Sequence, residues 1–127
     1  MSIDDADLAR AAGERYVDRA VAGDIEGVLA LFDDDAELLP MPPLTTTIRG
    51  LAALRAFFVA HGSGGDAELR SMRSVAQGRR CCIEAHVYLR SRDEHLFVVD
   101  VFTVTDAGKI CRLAAYRRAA DGERGSG

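Results

Sequence analysis

The sequence predicts an α+β domain: a cone-shaped, strongly curved antiparallel sheet with three N-terminal helices enclosing a pocket. Three observations predict it. Helical periodicity is confined to the first half of the chain, whereas alternating β-forming runs fill residues 67–118. Helices followed by consecutive strands indicate segregated layers, with the helices on one face of the sheet. The length of 127 residues, 48% hydrophobic and 28% charged, fits one domain with its own core. The domain is expected to span residues 1–120, with a flexible tail at 121–127.

Residues 5–22 read as the first helix. Leu8, Ala12, Tyr16 and Ala20 recur every four residues, flanked by Ala9, Val17 and Val21. Gly23 stops this helix and Asp24 can cap the next, the short apolar "IEGVLALF". The charged run "DDDAE", residues 33–37, reads as a solvated loop. Ala36–Met41 reads as a strand, and three prolines then exclude a helix. "LAALRAFFVAH", residues 51–61, is the third helix, with Leu54, Phe57, Phe58 and His61 on one stripe. "GSGG" is a turn.

The strands follow. "AELRSMRSVAQ" ends in a turn near Gly78. "RRCCIEAHVYLRS" puts Ile83, Ala85, Val87 and Leu89 on one face, with Cys82, Glu84, His86 and Tyr88 on the other. "SRDEH", with His95, reads as a turn. "LFVVDVFTVT" is a long strand, "DAGK" a hairpin turn, and "ICRLAAYRR" the last strand.

Charge and composition exclude several classes of function. The net charge is −4 and both signs are interspersed, so no nucleic-acid-binding face is expected. No apolar run approaches the roughly 18 residues needed to cross a bilayer, so no membrane partner is expected. The acidic N-terminus lacks the apolar core of a secretory signal. Cys81, Cys82 and Cys111 are odd in number and lack metal-type spacing, which predicts reduced thiols in a cytoplasmic protein. No phosphate loop, nucleophile elbow or zinc motif is present, so neither a cofactor nor a metal is expected.

One residue breaks the pattern. In "VVDVFTV", residues 98–104, Asp100 shares a strand face with Leu96, Val98, Phe102 and Val104. A carboxyl on such a face either lies in a pocket or sits at an edge or in a salt bridge. Buried and unpaired, it would stay protonated. Tyr16 reads either as a core ring or as a functional hydroxyl. His61 reads either as a helix C-terminal histidine, favourable with the dipole, or as a general base at a pocket mouth.

Three segments carry a resemblance: "RYVDRAVAGDIEGVLALFDDDAEL" at 15–38, "IRGLAALRAFF" at 48–58 and "VVDVFTVTDAGKI" at 98–110. With the strand order, they make nearly the whole chain resemble the nuclear transport factor 2-like superfamily, in its ketosteroid isomerase and SnoaL-like branch. In ketosteroid isomerases a tyrosine on the first helix and an acid on a late strand form the oxyanion hole; an acid kept protonated by an apolar site is a known feature of that family. Tyr16 and Asp100 match those two positions. The family's aspartate base falls on Pro40, which cannot move a proton, and Glu37 has the wrong strand parity to replace it. The last strand departs as well: a position usually apolar falls on Arg117, or on Tyr116 if the register slips. "MPP…RG…AFF" also resembles accessory domains fused to certain extracytoplasmic-function sigma factors.

The resemblance implies a small-molecule enzyme, isomerase- or cyclase-like, acting on a steroid- or polyketide-like compound. Tyr16 and Asp100 would polarise its carbonyl or epoxide oxygen, with His61 as the replacement base. Pro40, Phe57, Phe58, Val98, Phe102 and Arg117 would line the substrate pocket. The expected partners are a small apolar carbonyl-type ligand and a second copy of the chain, through the sheet face that carries Glu84 and His86. The alternative is a non-catalytic ligand-binding or dimerisation module of the same fold.

Overall fold

The computed structural model describes residues 4–41, 44–62 and 64–118. The expected tail at 121–127 lies outside them. Helix α1 runs Asp5–Ala22. Asp4 caps it through the Ala6 amide, Asp5 and Asp7 sit in its first turn, and Arg19 sits in its last, as the helix dipole favours. Gly23 ends it in the left-handed conformation, φ 75°, its N–H bonded to the Ala20 carbonyl. A Cβ there would stand 2.6 Å from the Gly65 amide nitrogen, so the position is closed to other residues on two counts. Asp24 caps α2, Ile25–Leu29, by accepting from the Gly27 amide at 2.9 Å.

Strand β1 is Phe32–Leu39, β2 is Ile48–Arg49, and α3 is Leu51–His61. Then come β3, Ala67–Gln77, and β4, Arg80–Leu89. A single 3-10 turn at Arg90–Arg92 leads into β5, Glu94–Val104, and β6 is Ile110–Arg118. The strands form one curved sheet in the order β2-β1-β6-β5-β4-β3. All pairs are antiparallel except β1 with β6, which is parallel, so the sheet is mixed. The parallel pair arises because β1, besides pairing with its successor β2, lies on its other side against the last strand of the chain.

Three sequence expectations change. "IEGVLALF" is helical only to Leu29, and Phe32 already belongs to β1. "DDDAE" is not a loop but the middle of β1. Asp34 and Asp35 are exposed while Phe32, Ala36 and Leu38 are buried, so the strand turns its acids to water. A register shift against β6 between Phe32 and Glu37 accommodates them. His95 lies within β5 and not in a turn, because Asp93 takes the left-handed position, φ 47°, and the turn closes one residue earlier.

The core lies between α1 and the concave face of the sheet. Ala9, Ala12, Gly13 and Val17 are the buried residues of α1, and small side chains let the helix settle close to the strands. At Gly13 the approach is tightest: a Cβ would stand 2.9 Å from Ile83 Cδ1 and 3.1 Å from Phe102. Phe102, Leu54, Ile83, Ile110 and Leu113 are fully buried around this contact. Among the described residues no helix is long and apolar enough to cross a membrane.

Candidate functional site

Past the end of the packed core, the concave face of the sheet and the three helices leave a hollow of about 490 Å³. That size lies within the range of small-molecule sites. Its walls are mainly apolar. Val17, Ala20 and Val21 come from α1, Ile25 and Val28 from α2, and Phe57 and Phe58 from α3. Leu96 and Val98 come from β5, and Leu113 and Ala115 from β6.

Tyr16 and Asp100 both open into it. Tyr16 is held by rings on three sides: Phe32 and Phe102 meet it edge-on at 6.0 and 5.3 Å, and Phe58 is tilted to it at 6.2 Å. This fixes the ring plane and leaves the hydroxyl as the free end. Asp100 stands on the inner face of β5, level with Ile83 of β4 and Ala115 of β6. Only 9% of its surface is exposed. Among the described residues neither the Tyr16 hydroxyl nor the Asp100 carboxyl has a hydrogen-bond partner in the protein, yet no buried side-chain polar atom is left without contact or access. Both groups therefore present their polar atoms to the hollow.

The electrostatics follow from burial. Loss of water raises the Asp100 carboxyl to about 7. The Tyr16 hydroxyl is raised as well, first by burial and then by the negative charge that Asp100 would carry. At neutral pH the tyrosine keeps its proton and can donate it, and the aspartate is protonated in a substantial fraction of molecules. In that form it too is a donor. Two O–H groups facing one apolar space can polarise an oxygen atom placed between them.

The other predicted site residues fall as follows. Pro40 lines the hollow where β1 ends. His61, the last residue of α3, lines it from an exposed position, its ring 5.0 Å from Phe57. Phe57, Phe58, Val98 and Arg117 line it too. The last strand is now assigned: Leu113, Ala115 and Arg117 face inward, and Tyr116 faces outward with 55% exposure. Phe102 is the exception. It was expected on the pocket wall, but it is sealed beneath α1 at 0% exposure and touches the site only through the Tyr16 ring. Close packing against Gly13 moves it from wall to core.

Sequence reasoning passed over Asp24, Arg92 and Glu94, which also line the hollow. Glu94 shares parity with Asp100 and could have been found by extending the strand two residues; Arg92, in the 3-10 turn, carries no such signal. Glu37 points away and pairs with Arg49 at 2.8 Å and Arg112 at 3.3 Å. On the convex face, His86 Nε2 lies 2.8 Å from His95 Nδ1, and the His86 ring stacks on Phe97 at 4.4 Å. Burial, then the charges of His95 and Arg70, lowers His86. Among the described residues no three His, Cys, Asp or Glu side chains are grouped to hold a metal ion.

The SnoaL-like domain model matches residues 13–113. The chain belongs to the SnoaL-like domain family. Similar solved structures agree with the fold. A protein of Kribbella flavida, provisionally named a ketosteroid isomerase, is 24% identical with a TM-score of 0.78, covering 94% of this chain and 84% of its own. A provisionally named polyketide cyclase of Xanthomonas campestris is 20% identical with a TM-score of 0.77, covering 91% and 93%. SalBIII, an epoxide hydrolase/cyclase-like enzyme of pyran ring formation in salinomycin, is 18% identical with a TM-score of 0.66, covering 87% and 90%. No curated protein matches this sequence. At these identities the likeness establishes the fold of this SnoaL-like chain and leaves its chemistry to the site.

Proposed function

We propose that this SnoaL-like protein is a small-molecule enzyme that polarises a carbonyl or epoxide oxygen of a steroid- or polyketide-like compound between Tyr16 and protonated Asp100. The observation that carries the reading is the Asp100 carboxyl, buried on an apolar wall and raised to about 7. An unpaired acid there destabilises the fold whenever it ionises, so a purely structural wall would be better served by valine. Its two O–H donors match where negative charge develops as a carbonyl enolises or an epoxide opens.

The reaction class is narrowed by Pro40. It lines the hollow where the ketosteroid isomerase resemblance places a carboxylate base, and it can move no proton. Acid-assisted ring closure or epoxide opening fits the donor pair better than proton abstraction does, because the nucleophile can be a hydroxyl of the substrate or a water. His61, at the exposed edge, is the group that would take up the released proton. The same absence supports the second reading, a binding module that holds its ligand without turnover.

The test is binding of 2-naphthol, a neutral phenol, measured with the native protein, Tyr16→Phe and Asp100→Asn. A fall in affinity on the order of tenfold for each variant is expected; unchanged affinity in both removes the donor pair. Pro40→Asp, assayed with a β,γ-unsaturated ketosteroid, separates the two readings. A rise in isomerisation supports an active site that lacks only its base, and no rise supports the binding module. The chain is further proposed to pair with a second copy through its convex sheet face, where Val75 and Tyr116 are exposed. Analytical ultracentrifugation reads this directly, and a monomer at micromolar concentration would remove it.

A further inference from the structure

The two ends of the hollow differ. At the closed end Asp100, Leu38 and Leu113 border it, and all three are buried. From there the inner face of β5 leads outward from Asp100 through Val98 and Leu96 to Glu94. Each step of two residues advances about 7 Å, so the hollow extends about 20 Å from the donor pair to its open end.

That open end is apolar on one side. Among the described residues four large hydrophobic side chains are exposed: Leu44, Val59, Val75 and Tyr116. Leu44, at 41%, and Val59, at 67%, both border the hollow. Single exposed hydrophobic residues are ordinary on a protein surface, but these two share the mouth of one apolar cavity. Val59 stands on α3. The Leu44 amide donates to the Met41 carbonyl at 3.1 Å, which ties Leu44 to another wall residue.

The wall that leads to this lip is continuous. Tyr16 meets Phe58 at 6.2 Å, Phe58 meets Phe57 at 5.5 Å, and Phe57 meets His61 at 5.0 Å. Rings thus follow α3 from the donor tyrosine to the opening. Beyond them α3 stays apolar. Ala52, Ala53, Ala56, Val59 and Ala60 are exposed, and the one charge on the helix among them, Arg55, is paired with Glu26. A helix that is apolar all round is ordinarily covered. Its mouth end runs on from the wall of the hollow, so a ligand too long for the hollow covers it.

We propose that the substrate is longer than the hollow: an apolar compound whose reacting oxygen sits between Tyr16 and Asp100 and whose hydrocarbon arm leaves over Val59 and Leu44. This rests on the function proposed above and adds to it the length of the substrate and the direction in which it lies. Val59 and Leu44 are then specificity residues. They favour a long apolar arm by taking it, and themselves, out of water, and they act on no reacting atom. Compounds short enough to end inside the hollow leave the lip wet and are the poorer ligands.

The test uses 2-naphthol and 6-hexyl-2-naphthol, whose phenol ends are the same. Affinities are measured by fluorescence titration for the native protein, Val59→Ser, Leu44→Ser and Val59→Leu. These positions are exposed, so the fold tolerates the changes. A buried methylene is worth about fourfold in affinity, and the native protein is expected to bind the hexyl compound at least about a hundredfold more tightly than 2-naphthol. Val59→Ser and Leu44→Ser should each cut that ratio about fivefold, and Val59→Leu should raise it. Equal affinity for the two compounds in the native protein, or a ratio that none of the three variants moves, overturns the proposal. Sedimentation overturns it as well if the unliganded native protein self-associates and Val59→Ser abolishes that, because a second copy then covers the lip. If Tyr16→Phe weakens 2-naphthol and the lip variants leave the ratio unmoved, only the arm fails. If 2-naphthol ignores both Tyr16→Phe and Asp100→Asn, the donor pair and the arm fall together.

Discussion

The protein holds two tyrosine–aspartate neighbours, and they are opposites. On the convex side, the Tyr88 hydroxyl donates to Asp93 at 2.6 Å, both groups face water, and Arg70 covers the Tyr88 ring at 4.7 Å. On the concave side, Tyr16 and Asp100 share an apolar hollow, and neither is bonded to a protein group among the described residues. The same two side chains thus satisfy each other in one place and are held ready in the other. Both tyrosines are harder to ionise than usual, but for different first causes: the hydrogen bond to Asp93 for Tyr88, and burial for Tyr16. Pairing makes a local staple; isolation leaves two polar groups facing a hollow. Position on the sheet decides which, because only the concave face excludes water.

That contrast can be broken at several points, the largest at Asp100. Its carboxyl is raised in the folded protein from 3.8 to about 7, so the folded state holds the proton more tightly than the unfolded chain does. Its stabilising contribution is complete below about pH 4 and is lost as pH rises to about 7. An interval of about 3 pH units at 1.36 kcal/mol each makes the loss on the order of 4 kcal/mol. Urea unfolding of the native protein and Asp100→Asn across that range should show this difference in slope. Parallel pH profiles would mean that Asp100 is solvated in the folded protein.

Next comes the frame that holds Tyr16. Gly13 lies one turn before it, with Ile83 and Phe102 too close to admit a Cβ. Gly13→Ala should destabilise by about 1–3 kcal/mol through overpacking, read as a lower unfolding midpoint. A neutral effect would show that α1 can move off the sheet.

Smaller effects separate the two tyrosines. Tyr16→Phe should lower 2-naphthol affinity about tenfold while leaving stability almost unchanged, because its hydroxyl makes no bond within the described protein. Tyr88→Phe should leave the affinity untouched and shift stability by less than about 0.5 kcal/mol, as exposed substitutions do. A larger stability loss at Tyr16 than at Tyr88 would contradict the assignment of staple and site.

Much of this was legible in the sequence, for physical reasons. Parity alone placed Asp100 on the face of Leu96 and Val98, and a four-residue period placed Tyr16 on the buried stripe of α1. The bounds of α1, α3, β3 and β6 follow from their caps, glycines and alternation. Four features were hidden. "DDDAE" has the composition of a loop, yet it lies within a strand that pairs with β6, a partner more than 70 residues away that local pattern cannot reveal. The parallel direction of that pair is invisible for the same reason. Phe102 has the parity of a wall residue, but how far α1 descends on the sheet decides whether a residue lines a hollow or closes it. Arg117 and Tyr116 could not be separated until the register with β5 was known.

The central claim is that Asp100 carries a proton at neutral pH and offers it to a ligand oxygen. Carbon-13 NMR of the side-chain carboxyls, with the Asp100 signal identified by its loss in Asp100→Asn, tests this most directly. The account predicts that this one signal titrates with a midpoint near 7, as burial of the carboxyl requires. A midpoint near the ordinary aspartate value of about 4 would contradict it.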